Sequence, residues 1–281
     1  MNEHLPVDKT FKLFIGGAFP RSESGRTFAV RDAKGALLAN ASQASRKDLR
    51  EAVRAARGAQ GSWAGRTAYN RGQILYRAAE MMEARRPEFV AVLRQIGVTP
   101  KAADKQVDQA IDRWVWYAGW ADKTHHVLGT VNPVSGPYFN FTFPEPTGVV
   151  GVMAPDQPAL LGLVSRLAPI IVSGNTAVAV IEGPASLAAI TLAEVLATSD
   201  LPGGVVNLLT GQKNELLPWM MGHLDINAVD LTGAPEDLDP EVLEAAAVNV
   251  KRTVWGDPVA ESPYAIADFL EMKTVWHPIG K

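Results

Sequence analysis

Between Gly148 and Gly233 the chain alternates between two hydrophobic rhythms. GVVGVMAP (148–155), NTAVAVI (175–181), GVVNLLT (204–210) and NAVDLTG (227–233) are short apolar runs rich in β-branched residues, as strands buried on both faces require. Between them, LLGLVSRLAPIIVSG (160–174) and SLAAITLAEVLATSD (186–200) carry apolar residues at helical spacing. Strands and helices in alternation predict right-handed crossovers and an α/β fold with a doubly wound parallel sheet. Ligands of such sheets lie beyond the carboxyl ends of the strands. Those ends are Ala154–Gln157, Val180–Gly183, Thr210–Gln212 and Leu231–Ala234.

The amino-terminal half reads differently. KLFIGGAF (12–19) and RTFAVRDAKG (26–35) predict short strands joined by glycine turns. SRKDLREAVRAARGAQ (45–60) predicts a helix capped by Ser45, with Asp48 three residues on. The apolar positions of 71–97 predict one long helix or two joined near Pro87. Residues 104–122 predict another, with Trp114 and Tyr117, and Trp116 and Trp120, as stacked core neighbours. In PYFNFTF (137–143), Phe139, Phe141 and Phe143 alternate with Tyr138, Asn140 and Thr142 behind a Gly/Pro/Ser turn, a β-hairpin signal. Met272 to His277 also alternate like a strand, yet no later segment could pair with them. An apolar edge strand left bare is an aggregation hazard, so it needs a partner.

The composition is that of an ordinary globular chain, 47% hydrophobic and 20% charged over 281 residues. A net charge of −3 with no basic block opposes a nucleic-acid partner. No apolar run is long enough for a membrane span, and MNEHLPVDKT lacks a signal-peptide layout, so a cytoplasmic protein is expected. The count of zero cysteines excludes disulfides, thiolate metal sites and a thiol nucleophile within this sequence. Of His4, His125, His126, His223 and His277, only the adjacent pair is close, and neighbours one apart do not converge on a metal.

YAGWADK (117–123), EPTGVVGVMAP (145–155), LAPIIVSGNTAV (167–178), LPGGVVNLLTG (201–211), DLTGAP (230–235) and LEMKTVW (270–276) resemble, in order, the motifs of the aldehyde dehydrogenase superfamily. The resemblance implies a Rossmann-like NAD(P)-binding domain over 1–126 and 146–266, and an oligomerisation hairpin with its completing strand over 127–145 and 267–281. After KRTVWGDP (251–258) the family's thiol-bearing catalytic domain is expected, but ADFLEMKTVW, similar to the family's final strand, follows within a few residues. The chain thus resembles a form lacking the catalytic domain, and, more weakly, the non-catalytic unit of the aldehyde dehydrogenase 16 group.

The same resemblance locates the family's functional positions. Gln157 stands for the asparagine that donates to the oxyanion, and Gly256 for the general-base glutamate. Val180-Ile181-Glu182-Gly183 replaces the lysine and glutamate that hold the adenosine ribose. Leu231-Thr232-Gly233-Ala234-Pro235 stands in place of the pyrophosphate turn, and Glu236, Asp237 and Asp239 beside it either cap the following helix, the ordinary role of acids there, or compete with a phosphate for the same N–H groups. Vestigial cofactor contacts are therefore assigned to Pro155, Gln157, Asn175, Gly211, Thr232 and Gly233, no catalytic residue is assigned, and tight NAD(P) binding is not expected. Phe139, Phe141, Phe143, Met272, Thr274, Val275 and Trp276 are assigned to oligomerisation, the strand pairing with the chain's own hairpin. The expected function is a catalytically inactive subunit assembling with a full-length, cysteine-bearing aldehyde dehydrogenase or with itself. The alternatives are a degraded nucleotide-binding sensor and, opposed by the missing thiol and base, an NAD(P)-dependent aldehyde oxidoreductase in its own right.

Overall fold

The computed structural model of the chain describes residues 9–32 and 34–280; His4 and most of MNEHLPVDKT lie outside them. The chain opens with β1 (Thr10–Phe11), β2 (Thr27–Arg31) and β3 (Leu37–Ser42), which form a small sheet in the order β1-β3-β2. The strand expected over 12–19 is corrected. Gly16 and Gly17 adopt φ of 62° and 83°, reversing the chain so that Ile15 bridges Ala18, while Phe14 exchanges backbone bonds with Leu208.

Helix α1 (Arg46–Ala64) begins with the expected capping box: Ser45 N donates to Asp48 Oδ2 at 2.7 Å and Asp48 N to Ser45 Oγ at 3.3 Å. The stretch 71–97 forms two helices, α2 (Ala68–Ala84) and α3 (Arg86–Gln95). Pro87 sits in the first turn of α3, where its missing N–H has no intrahelical acceptor to lose. Helix α4 (Pro100–Ala118) starts and ends earlier than expected, and buries Trp114 and Tyr117 completely.

Then follow α5 (Thr124–Leu128), β4 (Thr130–Asn132) and β5 (Tyr138–Pro146), so 127–128 close a helical turn rather than open the hairpin. The α/β part comprises β6 (Val149–Met153), α6 (Ala159–Val172), β7 (Thr176–Ile181), α7 (Ala185–Leu196), β8 (Val206–Thr210), α8 (Lys213–Met221), β9 (Ala228–Asp230), α9 (Pro240–Glu244) and β10 (Arg252–Val254). A last turn, α10 (Tyr264–Ala267), leads into β11 (Leu270–Pro278).

The central sheet is parallel throughout, ordered β10-β9-β6-β7-β8. Alternation along each strand feeds two cores. Val150, Val152, Ala177, Ala179 and Leu208 join α6, α7 and the α2–α4 helices on one face. Val149, Met153, Val178, Val180 and Leu209 join α1 and α8 on the other. No helix among the described residues is long and apolar enough to cross a membrane.

The strand that needed a partner has one. β11 pairs antiparallel with β5 over its whole length, Leu270 opposite Pro146 to Pro278 opposite Tyr138, in a sheet ordered β11-β5-β4. This sheet divides the oligomerisation residues between its faces. Phe139, Phe141 and Phe143 form a ladder with ring centroids 5.5 and 6.1 Å apart, on the face shared with Val275. Met272, Thr274 and Trp276 lie on the opposite face, where Thr142 and Thr274 share a hydroxyl bond of 2.8 Å.

Candidate functional site

The strand order reverses between β6 and β9, so the crevice of this sheet lies at their carboxyl ends. There Gly233 N donates to Met153 O at 3.0 Å, and a methyl added at Gly233 would stand 2.3 Å from the Ala154 carbonyl oxygen. Only glycine allows so close an approach. Pro155 is buried beneath this contact, whereas Gln157 is exposed. Gly211, at the end of β8, donates to Ile181 O at 3.0 Å and packs on Ala44.

Thr232 is turned inward. Its N–H and its hydroxyl both donate to Asp230 Oδ1, at 2.9 and 2.5 Å, and the hydroxyl accepts from Gly256 N at 2.9 Å. Asp230 is buried because Arg166, also buried, donates from Nε to its Oδ2 at 2.5 Å. This pair was missed in the sequence, although each member is the lone charge of an apolar run and a buried charge requires a partner. Arg166 Nη2 has no acceptor among the described residues, and its guanidinium lies against Gly256. A methyl added at Gly256 would meet Nη1 at 2.4 Å and Cζ at 2.7 Å. The space in which a general-base side chain would begin is therefore filled by arginine.

The segment 256–263 is fastened over this pair. Arg113 donates to the carbonyls of Val259 and Ala260 and to Ser165 Oγ, and lies 3.4 Å from the Glu261 carboxylate. The Tyr117 hydroxyl donates to Ser262 O at 3.3 Å, and burial pushes its pKa up. Trp219, Trp255 and Trp276 remain exposed, the first beneath the guanidinium of Arg46, 3.8 Å from the ring centroid.

The positions expected to touch a dinucleotide are rebuilt with other chemistry. Val180 is fully buried in the core shared with α1 and α8. Glu182 Oε2 instead accepts from Lys213 N at 3.0 Å, at the start of α8. The buried Lys213 ammonium donates to the exposed Asp156 carboxylate at 2.6 Å. Lys213 thus ties the ends of β6, β7 and β8 together; nothing in its sequence context marked it. After β9, α9 is only five residues long, and Asp239 caps it by accepting from Glu241 N at 2.9 Å. Leu238 and Val242 pack onto the cluster containing Leu216, Leu217 and Met220. Lysine in the ribose position, a free threonine hydroxyl and an uncapped helix start are all lacking, so these residues do not fit a dinucleotide held as the resemblance implies.

The grouping of Asn175 with this crevice is corrected. It precedes β7, at the amino end of the sheet, where its Oδ1 accepts from Gly148 N at 2.6 Å. Its Nδ2 donates to Ser173 Oγ and to Phe269 O, both at 2.7 Å, so the residue anchors the start of β11 instead of a ligand.

Comparison with known proteins agrees with this architecture. The profile described as "Aldehyde dehydrogenase family" matches residues 19–267. The chain is 34% identical over 251 residues to retinal dehydrogenase 2 of Homo sapiens, covering 87% of this chain and 48% of that protein. It is 33% identical over 249 residues to aldehyde dehydrogenase, cytosolic 1 of Elephantulus edwardii, covering 86% and 49%. It spans about half the length of the curated relatives it matches. Among solved structures, the NAD+ complex of an aldehyde dehydrogenase from Bacillus cereus superposes with a TM-score of 0.79 at 27% identity, over 87% of this chain and 50% of that one. PnpE in complex with nicotinamide adenine dinucleotide gives 0.79 at 26%, over 86% and 50%. With a doubly wound sheet, an antiparallel sheet completed by β11 and a family profile spanning most of its length, this cysteine-free chain belongs to the aldehyde dehydrogenase family.

Proposed function

We propose that the chain is a catalytically inactive aldehyde-dehydrogenase-like subunit that assembles through the β11-β5-β4 sheet and has a structural or regulatory role. Its partner is a complete, thiol-bearing aldehyde dehydrogenase or another copy of itself. The observation that carries this reading is the Arg166 guanidinium packed against Gly256, which leaves no room for a base. The absence of any cysteine from the 281 residues supports it, because acyl transfer through a thiol needs both groups. The apolar ladder of Phe139, Phe141 and Phe143 supplies the surface for assembly.

The test pairs activity with mass. The purified chain should give no NAD- or NADP-dependent aldehyde oxidation, since loss of nucleophile and base costs many powers of ten in rate. Native mass spectrometry of the protein drawn from its own cells should show a complex with a larger dehydrogenase or multiples of the chain. A lone monomer, or turnover by the pure chain, would overturn the proposal.

A second reading, a weak nucleotide site, is favoured by one feature: the Lys213 ammonium stands at the carboxyl end of the sheet, bonded to Asp156 beyond β6. Calorimetry with NAD, NADP and adenosine phosphates tests it. A Lys213→Met variant should abolish any heat, and no heat with the original chain dismisses the reading.

A further inference from the structure

The small sheet β1-β3-β2 has one face that the core does not use. Phe11, Phe28, Ala39 and Ala41 pack inward on the other. Strand alternation therefore turns Thr10, Thr27, Asn40 and Ser42 together to the free face. Register completes the group, with Thr10 opposite Asn40 and Thr27 opposite Ser42. Three hydroxyls and an amide are thus gathered on one patch.

The loop 21–26 walls this patch into a cavity of about 420 Å³, in which every lining side chain is polar and the remaining residue is Gly25. The wall is held from behind. Ser22 Oγ donates to Asp48 Oδ2 at 2.7 Å and Glu23 N donates to Asp48 Oδ1 at 3.1 Å, so the carboxylate that caps α1 also fixes the loop. Gly25, at φ 68°, closes the turn by donating to Ser22 O at 3.0 Å. A fastened wall of this kind preorganises a site. An ordinary solvated sheet face is open and has no such wall. Here the lining includes Ser42, only 1% exposed, whose hydroxyl has no hydrogen-bond partner among the described residues.

The charges around the cavity leave one cation over. Glu23 is met by Lys47 at 3.2 Å, and Arg26 by Glu215 at 2.5 Å. Arg21, exposed on the wall, has no carboxylate partner among the described residues. A single positive charge suits a monoanion better than a dianion, and a guanidinium takes a carboxylate through two parallel N–H···O bonds. Without an aromatic or aliphatic wall, the cavity offers nothing to a nucleotide base or an acyl chain. Hydroxyls and an amide are partners for other hydroxyls.

We propose that this cavity binds a small polyhydroxylated carboxylate of the sugar-acid class, its carboxylate on Arg21 and its hydroxyls on Thr10, Thr27, Asn40 and Ser42. The site shares no residue with the dinucleotide crevice or with the β11-β5-β4 sheet, so it stands apart from the function proposed above.

D-Gluconate is the probe, titrated into the full chain by calorimetry beside acetate, glucose and glucose 6-phosphate. Gluconate should bind roughly tenfold or more tightly than acetate or glucose, which each offer half of its chemistry, and more tightly than the phosphate ester. The backbone amide resonances of Thr27, Asn40 and Ser42 should shift as it saturates. Arg21→Met should weaken binding by about tenfold or more, the usual effect of losing a charged hydrogen bond. It should leave the urea midpoint in place, so the loss reports binding and not folding. Asn40→Asp, on an exposed position, should weaken gluconate binding by repulsion. No heat with gluconate at millimolar concentrations, equal binding of acetate, or tighter binding of glucose 6-phosphate would overturn the proposal. Gluconate binding that Arg21→Met leaves unchanged would overturn it as well, because the carboxylate would then lie elsewhere.

Discussion

At the scale of single residues, the chain is organised by charges that an apolar reading passes over. Arg166 and Asp230 occupy one helix and one strand, each of which otherwise announces burial, and their pairing determines what can stand at position 256. Because Asp230 pins the guanidinium, Gly256→Ala cannot be accommodated by swinging Arg166 away. We expect a loss of about 1–3 kcal/mol, the usual cost of overpacking, measured as a lowered urea midpoint. Lys251 makes a different prediction. Its ammonium donates to His223 O at 2.9 Å, Ile226 O at 2.5 Å and Asn249 Oδ1 at 3.0 Å, and burial brings its pKa down from 10.5 to about 8. Between these values the unfolded chain holds a proton that the folded chain has released, so stability should rise with pH from about 8 until the tyrosines titrate. Urea melts at pH 7.5 and 9.5 should show this rise, and Lys251→Met should flatten it.

At the scale of elements, the strands of the parallel sheet were legible because burial on both faces leaves only apolar, β-branched residues, as in GVVGVM and TAVAV. The helix start at Ser45 was legible because its capping box is local. What escaped was short or held by distant contacts. β10 has three residues, β3 mixes Asn and Ser into its run, and the two-residue β1 was displaced from its expected place by the Gly16–Gly17 reversal. The candidate site was less legible than the fold. Its strand ends were located correctly, yet Lys213, Arg166 and the true place of Asn175 depend on partners 57, 64 and up to 94 residues away in sequence. Asn175 joins the two sheets: its amide serves Gly148 at the start of β6 and Phe269 before β11. Asn175→Ala should strand the Gly148 N–H and cost about 1–3 kcal/mol, loosening the β11 end first. Hydrogen exchange should show protection lost at Leu270 and Glu271 before the core of β6.

At the scale of the whole molecule, the segment 255–263 is the bridge between the parallel sheet and the strand that completes the antiparallel one. Trp255 on it is 59% exposed, so chymotrypsin should cut there. The nine-residue ladder to β5 and the Asn175 anchor should keep both fragments together on a sizing column, with separation only in denaturant. Fragments that part under native conditions would show that the ladder does not hold β11 by itself. That ladder also has a consequence in time. β5 ends at Pro146 and β11 begins at Leu270, 124 positions further along the chain. At a synthesis rate of roughly 5–20 residues per second, the ribosome takes about 6–25 s to cover that distance. Throughout that interval the nascent hairpin presents its phenylalanine ladder with one flank of β5 open, so this chain needs guarding longest at a surface that the finished protein keeps covered on that flank.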